Sequence, residues 1–250
     1  MDIIFFFLIY YIILILFNIV FYIYRNVVAS TINVYDSPDT KRKFHKNKTP
    51  LIGGLLIYCN LLIVFSFDLF LRELYDTQSH LTNSNFDVLL LFVSISLLFL
   101  IGIIDDKIDL KPYTRIFLLS IIIIVLLNFD NSLILNTLKF SFISTEFVLG
   151  KLSMPLTLLC FLMLINAFNM FDGINLQSSS YTIFIFICLL IFFSNSLFIK
   201  ILILTLLSFS YLNYKNRTFL GDSGSLLIAF IISYFFIKLY NLNYIQYTDD

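Results

Sequence analysis

Tryptophan is absent from this chain, and charge is scarce: only 13% of its 250 residues are Asp, Glu, Lys or Arg. Soluble domains are about half apolar and about a quarter charged. Here 60% of residues are hydrophobic and mean hydropathy is +0.94, which excludes an ordinary soluble domain and indicates an integral membrane protein. Formal net charge is zero, so the basic surface that a nucleic-acid partner demands is missing. The three cysteines, Cys59, Cys160 and Cys188, each fall inside an apolar run. They form no disulfide framework and do not report the compartment. Thirty Phe against no Trp points to biased coding rather than to function. Met1 to Tyr24 lacks a basic n-region and a small-residue cleavage site, and reads as a retained span, not a signal peptide. With no internal repeat and no low-complexity linker, residues 1–250 read as a single membrane domain.

What the chain does have is apolar runs. A span needs about 20 apolar residues to cross a hydrocarbon core of about 30 Å. Ile3 to Tyr24, Leu51 to Leu71, Val88 to Ile104, Ile116 to Phe129, Met154 to about Phe171, and Leu226 to Tyr240 meet or approach that length. Tyr181 to Phe193 and Leu197 to Leu212 are shorter, and are either two thin, protein-buried spans or one re-entrant hairpin. The expected fold is therefore an all-α polytopic membrane protein with about eight transmembrane helices. Lys139 to Ser144 alternates polar and apolar like a short strand, half of a hairpin.

Basic residues accumulate in short cytoplasmic loops. The segments Arg25 to Thr49, Asp105 to Arg115, Asp172 to Ser180 and Asn213 to Ser225 hold eleven of the sixteen Lys and Arg. That set is assigned to the cytoplasm, which puts both termini outside. Six of the seven glycines, Gly53, Gly54, Gly102, Gly173, Gly221 and Gly224, lie in or near the same loops. Gly permits close backbone approach, so a specially shaped, active face is expected on the cytoplasmic side.

Four polar constellations reach that face. The first runs from Asp36 through Pro38 to Pro50, with five Lys or Arg and one His between Lys41 and Lys48. It serves as a topology signal, and suits an anionic lipid head or a diphosphate. The second runs from Gly102 to Arg115. Its adjacent Asp105 and Asp106 repel one another beside lipid, and call for a cation: Mg²⁺, or neighbouring Lys107, Lys111 and Arg115. Asp109 reads more simply as a cap for the next helix. The third is Leu164 to Leu176, where Asn166, Asn169, Asp172 and Asn175 recur every three residues; if the helix continues, Asn166, Asn169 and Gly173 share a face. Polar side chains at a membrane helix end either mark the surface or face protein, water or ligand. The fourth runs from Asn213 to Ser225 and places Asp222 at a helix N-terminus with Ser223 and Ser225. An Asp there caps the helix, worth about 1 kcal/mol, and can also hold a Mg²⁺ that phosphates share. Together these describe phosphoryl chemistry where a cytosolic nucleotide meets a membrane lipid.

In this order the motifs resemble the polyprenyl-phosphate N-acetylhexosamine-1-phosphate transferase family. The match runs through Asp36-Ser-Pro with Arg42-Lys43-Phe-His45, Thr49-Pro50 to Gly54, Asp105-Asp106, Asn166-Ala-Phe-Asn169-Met-Phe-Asp172-Gly173, and Phe219-Leu-Gly-Asp222-Ser-Gly-Ser225. The Asn-Ala-Phe-Asn form is closer to the N-acetylglucosamine-type branch than to the muramoyl-pentapeptide branch. The resemblance implies transfer of HexNAc-1-phosphate, GlcNAc-1-phosphate foremost, from a UDP-sugar to undecaprenyl phosphate in a bacterial inner membrane. UMP would be released, and a cell-envelope polysaccharide such as O-antigen begun. It further implies Asp222 as ligand of Mg²⁺ (or Mn²⁺), Asp105 and Asp106 as the catalytic acidic pair, and Asn166, Asn169, Asp172, Asn175, Lys43 and His45 as substrate contacts. A homodimer is compatible with it. Two departures stand out. Where the family reads Asp-Gly-x-Asp-Gly-Leu, Asn175 and Leu176 replace the second Asp and Gly. The family's His-rich cytoplasmic loop has no counterpart, the only histidines being His45 and His80, so the expectation is a chain lacking the family's C-terminal segment. The rival readings are an inactive or non-catalytic membrane protein, and an intramembrane prenyltransferase whose Asp-Asp-x-x-Asp pattern would be Asp105, Asp106 and Asp109.

Overall fold

A computed structural model describes residues 3–36, 48–75, 85–139, 146–193 and 196–247. Among the described residues eight α-helices follow one another: α1 (Ile3–Ile32), α2 (Gly53–Tyr75), α3 (Asn85–Ile108), α4 (Pro112–Phe129), α5 (Ser153–Phe171), α6 (Gln177–Phe192), α7 (Leu197–Tyr214) and α8 (Gly221–Tyr247). Among the described residues, sheet is confined to two antiparallel ladders of two residues per strand. β1 (Tyr35–Asp36) pairs with β2 (Thr49–Pro50), and β3 (Thr137–Leu138) with β4 (Phe147–Val148). Five helices are long and apolar enough to cross a membrane, and α2, α6 and α7 contribute shorter apolar stretches. Helices are what apolar runs must form in lipid, where each backbone N–H and C=O has to find its partner within the chain.

The helices outrun the apolar runs. α1 continues past Tyr24 to Ile32, and α8 starts five residues before Leu226, because helix hydrogen bonding carries on into the polar ends. The predicted strand from Lys139 falls mainly on residues outside the description. The ladder among the described residues lies just before it, where Thr137–Leu138 pairs antiparallel with Phe147–Val148.

α8 is the axis of the fold. Every residue from Ser223 to Phe235 is buried, as befits a helix that is apolar all round, and α3, α5, α2 and α6 pack against it. α1 is peripheral. It touches α2 through the Tyr10–Phe67 ring stack at 4.0 Å and a bond from Asn18 Nδ2 to Oδ1 of the buried Asn60 at 2.9 Å, and α7 through the Tyr22 and Tyr211 rings, 6.1 Å apart. At one end of the bundle, Lys238 of α8 lies 3.6 Å from Asp130 and donates to Ser132 Oγ at 2.6 Å, fastening α8 to the turn after α4. The sequence patterns above gave no notice of this buried ion pair. The opposite end gathers the described residues of the second, third and fourth polar constellations.

Candidate active site at the N-terminus of α8

The first turn of a helix leaves four N–H groups without intrahelical partners. At α8 two of these are met from α3: Asp106 accepts from Asp222 N at 2.7 Å and Ser223 N at 3.0 Å. The cap is thus Asp106, not Asp222, contrary to the sequence expectation. Two glycines make the approach possible. Gly221 has φ +73°, and a Cβ there would lie 2.8 Å from Asp106 Oδ2. A Cβ on Gly102, one turn before Asp106, would lie 2.3 Å from Ser223 Cα. α2 closes the third side, its Gly53 and Gly54 N–H groups donating at 3.0 Å to the carbonyls of Phe219 and Leu220. The expectation of close backbone contact on this face is met at these positions.

Asp105 faces away from its neighbour. It is 4% exposed, accepts Leu110 N–H at 2.8 Å, and is paired with Arg115 Nη1 at 3.0 Å. The repulsion between adjacent carboxylates is therefore relieved twice, by a guanidinium for Asp105 and by the α8 N-terminus for Asp106. Of the three neighbouring cations, Arg115 is the one bonded to the pair. Asp109 does not cap α4. It is exposed with φ +54°, while α4 begins at Pro112 after Lys111 with no side-chain cap. Its fixed φ suits Pro to the first helical position. The pattern Asp105, Asp106, Asp109 is thus not presented as one diphosphate-binding unit.

Asn169, in the last turn of α5, joins the two sides. Its Nδ2 donates to Asp222 and, at 2.8 Å, to Ser225 Oγ; its Oδ1 lies 3.5 Å from Arg115 Nη1. Among the described residues, Asp222 Oδ2 accepts no hydrogen bond. The Nε of Arg115 is buried and likewise unpartnered. The guanidinium places positive charge close enough to act on the Asp222 carboxylate; the sequence names Arg115 only together with Lys107 and Lys111, as a cation for the acidic pair. The available signal was its place ten residues after Asp105.

The fifth apolar run ends in the sequence at about Phe171, and the helix ends there, so the condition under which Gly173 would share its face is not met. α5 ends at Phe171, and Asp172 is its C-cap, its N–H bonded to Phe168 O at 3.2 Å. Gly173 therefore does not share a helical face with Asn166 and Asn169; no atom lies within 4 Å of where its Cβ would be. Asp172 accepts from Ser178 Oγ. Burial pushes its carboxyl up to about 6, against the lowering effect of that hydrogen bond, and the Asp222 charge adds to the rise. The Asn166 amide bonds back to Leu162 O at 2.7 Å. The Asn175 amide reaches across to Asn213 O at 3.3 Å and to Asn216 Oδ1. Lys43 and His45 lie outside the described residues.

The structure thus brings together Asp105, Asp106, Asn169 and Asp222, with Asp172 close enough for its charge to couple to Asp222. Among the described residues no three His, Cys, Asp or Glu side chains form a metal cage. Mg²⁺ does not require one, since it is commonly held by one or two carboxylates together with water and substrate phosphates. The uncommitted Oδ2 of Asp222 fits that mode of binding.

A helical membrane protein with a carboxylate, amide and guanidinium cluster at one end of its bundle is the class defined by fold and site. This chain belongs to glycosyl transferase family 4, whose family model matches residues 88–240. The match contains Asp105, Asp106, Asn169, Asp172 and Asp222. Over 234 residues the chain is 29% identical to the undecaprenyl-phosphate alpha-N-acetylglucosaminyl 1-phosphate transferase of Escherichia coli O157:H7, covering 89% of this chain and 60% of that one. It is 28% identical over 227 residues to the enzyme of that name from Yersinia pestis, covering 86% and 58%. Against a probable undecaprenyl-phosphate N-acetylglucosaminyl 1-phosphate transferase of Bacillus subtilis (strain 168) it is 25% identical over 213 residues, covering 82% and 55%. The aligned part of the chain spans less than two thirds of these relatives' length.

Proposed function

We propose that this protein transfers GlcNAc-1-phosphate from UDP-GlcNAc to undecaprenyl phosphate, releasing UMP and beginning a cell-envelope polysaccharide. The names of the relatives support the acceptor and the sugar. The observation that carries the reading is the convergence of Asp222, Asn169 and the half-satisfied Arg115 at the α8 N-terminus. In the arrangement we propose, all eight helices span a bacterial inner membrane, both termini lie outside, and this site faces the cytoplasm. A soluble nucleotide and a lipid phosphate could then meet there.

The reaction forms a bond from an acceptor phosphate oxygen to the β-phosphorus and breaks the bond from that phosphorus to the bridging oxygen, which leaves with UMP. A phosphate monoester has its second pKa near 6, so the acceptor is largely dianionic at neutral pH and needs little help from a general base. What remains is orientation and charge stabilisation. Asp222 Oδ2 would hold a Mg²⁺ shared with the donor diphosphate; the ion, when bound, neutralises charge developing on the phosphate oxygens. Arg115 supplies guanidinium charge beside it. Asp106 fixes the turn that aims Asp222, and Asp105 fixes Arg115. Both carboxylates of the pair already accept on each oxygen, which favours positioning over a covalent aspartyl intermediate.

The test is Mg²⁺-dependent incorporation of labelled sugar phosphate from UDP-GlcNAc into undecaprenyl phosphate, in membranes containing the parent or Asp222→Asn. Incorporation by the parent, and its loss in a variant that keeps the parental melting temperature, is the expected result. A folded parent that incorporates nothing from any UDP-HexNAc would refute the proposal.

A further inference from the structure

The turn between α5 and α6 is held in a conformation its own sequence does not favour. Leu176, at the N-cap of α6, has φ +67°, a left-handed backbone that is costly for a residue bearing a Cβ. Such a residue persists only where its surroundings impose it. The imposing group is Asn213, at the end of α7. Asn213 is 5% exposed, and its Oδ1 accepts the Leu176 N–H at 2.7 Å while its Nδ2 donates to Thr218 O at 3.1 Å. Its carbonyl accepts from Asn175 Nδ2 at 3.3 Å. Thr218 is fully buried and donates to Pro50 O at 3.0 Å, and the adjacent Phe219 N–H donates to the same carbonyl at 3.0 Å. One amide thus ties the α5–α6 turn to the strand that leads into α2 and to the segment that leads into α8. Between Leu176 and the end of α5 lie only Asp172, Gly173, Ile174 and Asn175, with open space above Gly173.

We propose that Asn213 is a positioning residue for the nucleotide-sugar donor, acting through Leu176 to hold the 172–176 turn against the α8 N-terminus. The donor role rests on the transferase reading above. Asn213 itself touches neither reacting atom nor metal. Its loss frees the Leu176 N–H, lets Leu176 relax to negative φ, and moves Asp172 and Asn175 relative to Asp222. The strain makes a specific rescue available: glycine adopts positive φ without being forced, so Leu176→Gly should restore part of what Asn213→Ala removes.

The experiment uses the full chain in detergent as parent, Asn213→Ala, and Asn213→Ala with Leu176→Gly. It reads peptide-resolved amide hydrogen exchange over residues 172–178, and donor kinetics at saturating undecaprenyl phosphate. For Asn213→Ala the expected results are faster exchange confined to that turn and a donor KM raised roughly tenfold, the equivalent of about 1.4 kcal/mol, with kcat little changed. In the double variant KM should move back toward the parent. Unchanged exchange, a fall in kcat alone, or a double variant no better than the single would overturn the proposal. If Asn213→Ala does not fold, Asn213→Asp is read instead: it keeps an acceptor for Leu176 but sets a carboxylate oxygen against the Thr218 carbonyl. Exchange over residues 172–178 nearer the parent than exchange over residues 216–219 supports the pin, and loosening of 172–178 as great as that of 216–219 refutes it. A folded parent without turnover removes the transferase reading and the donor role with it, while the exchange measurement still decides whether Asn213 holds the turn.

Discussion

Replacing Asp106 by Asn separates a structural carboxylate from a chemical one. The substitution keeps the shape and one acceptor oxygen, but it turns an NH₂ toward one of the two backbone N–H groups that Asp106 now receives at 2.7 and 3.0 Å. A hydrogen bond to a charged acceptor contributes about 1.5–3 kcal/mol, and a negative charge at a helix N-terminus about 0.3–1 kcal/mol more. Part of this is offset, because a neutral amide is easier to desolvate and no longer repels Asp222. We expect a net loss of about 2 kcal/mol. For chains of 150–250 residues that corresponds to a melting temperature lower by about 4–8 °C, read by far-UV circular dichroism in detergent. The transferase assay on the same samples should show reduced activity that is partly regained under stabilising conditions, since Asp222 would be misaimed rather than removed. An Asp106→Asn protein with an unchanged melting temperature and no activity would refute the reasoning. Asp106 would then act on substrate, and its bonds to α8 would be incidental.

The buried pair at the far end gives a second stability test. Lys238→Met strands Asp130 beside Ser132, and breaking such a pair costs about 3–5 kcal/mol; the double variant Lys238→Met, Asp130→Asn should unfold at a higher temperature than Lys238→Met alone. Asp172 gives a pH dependence. Its carboxyl is raised from the ordinary 3.8 to about 6, chiefly by burial, so its contribution to stability is full below about 4 and is lost as pH rises through about 6. Between pH 5 and 7 the melting temperature of Asp172→Asn should therefore fall less than that of the parent; parallel profiles for the two would contradict the assignment.

Much of the architecture is legible in the sequence, because lipid leaves few choices. An apolar run of sufficient length must satisfy its backbone internally, so the eight runs correspond to the eight helices of the described residues, with ends that extend into polar residues at α1 and α8 and draw in at the start of α2. The glycines gathered at one set of loops, and Asp222 following Gly221, announce a tightly built helix N-terminus before any coordinates. Periodicity, however, is a local signal. The apolar run placed the end of α5 at about Phe171, where it lies, but periodicity could not say that Ser178 would hold Asp172 across the break.

Which charge meets which group was decided by tertiary packing. Asp106 and Ser223 are 117 residues apart and meet only because Gly102 lets α3 and α8 touch backbone to backbone. Arg115, rather than Lys107 or Lys111, partners Asp105, since the start of α4 at Pro112 turns it toward the end of α5. Asp130 and Lys238 read as unrelated charges until the turn after α4 meets α8. Asn213, which the sequence sets at the head of a polar segment with nothing to distinguish it, becomes at the end of α7 the group that holds Leu176 in a left-handed turn. The sequence by itself determined the membrane class, the helices and the polar end, because each follows from the chemistry of neighbouring residues in lipid. The partners at that end depend on distances set between helices far apart in the chain, and only the packed bundle fixes those.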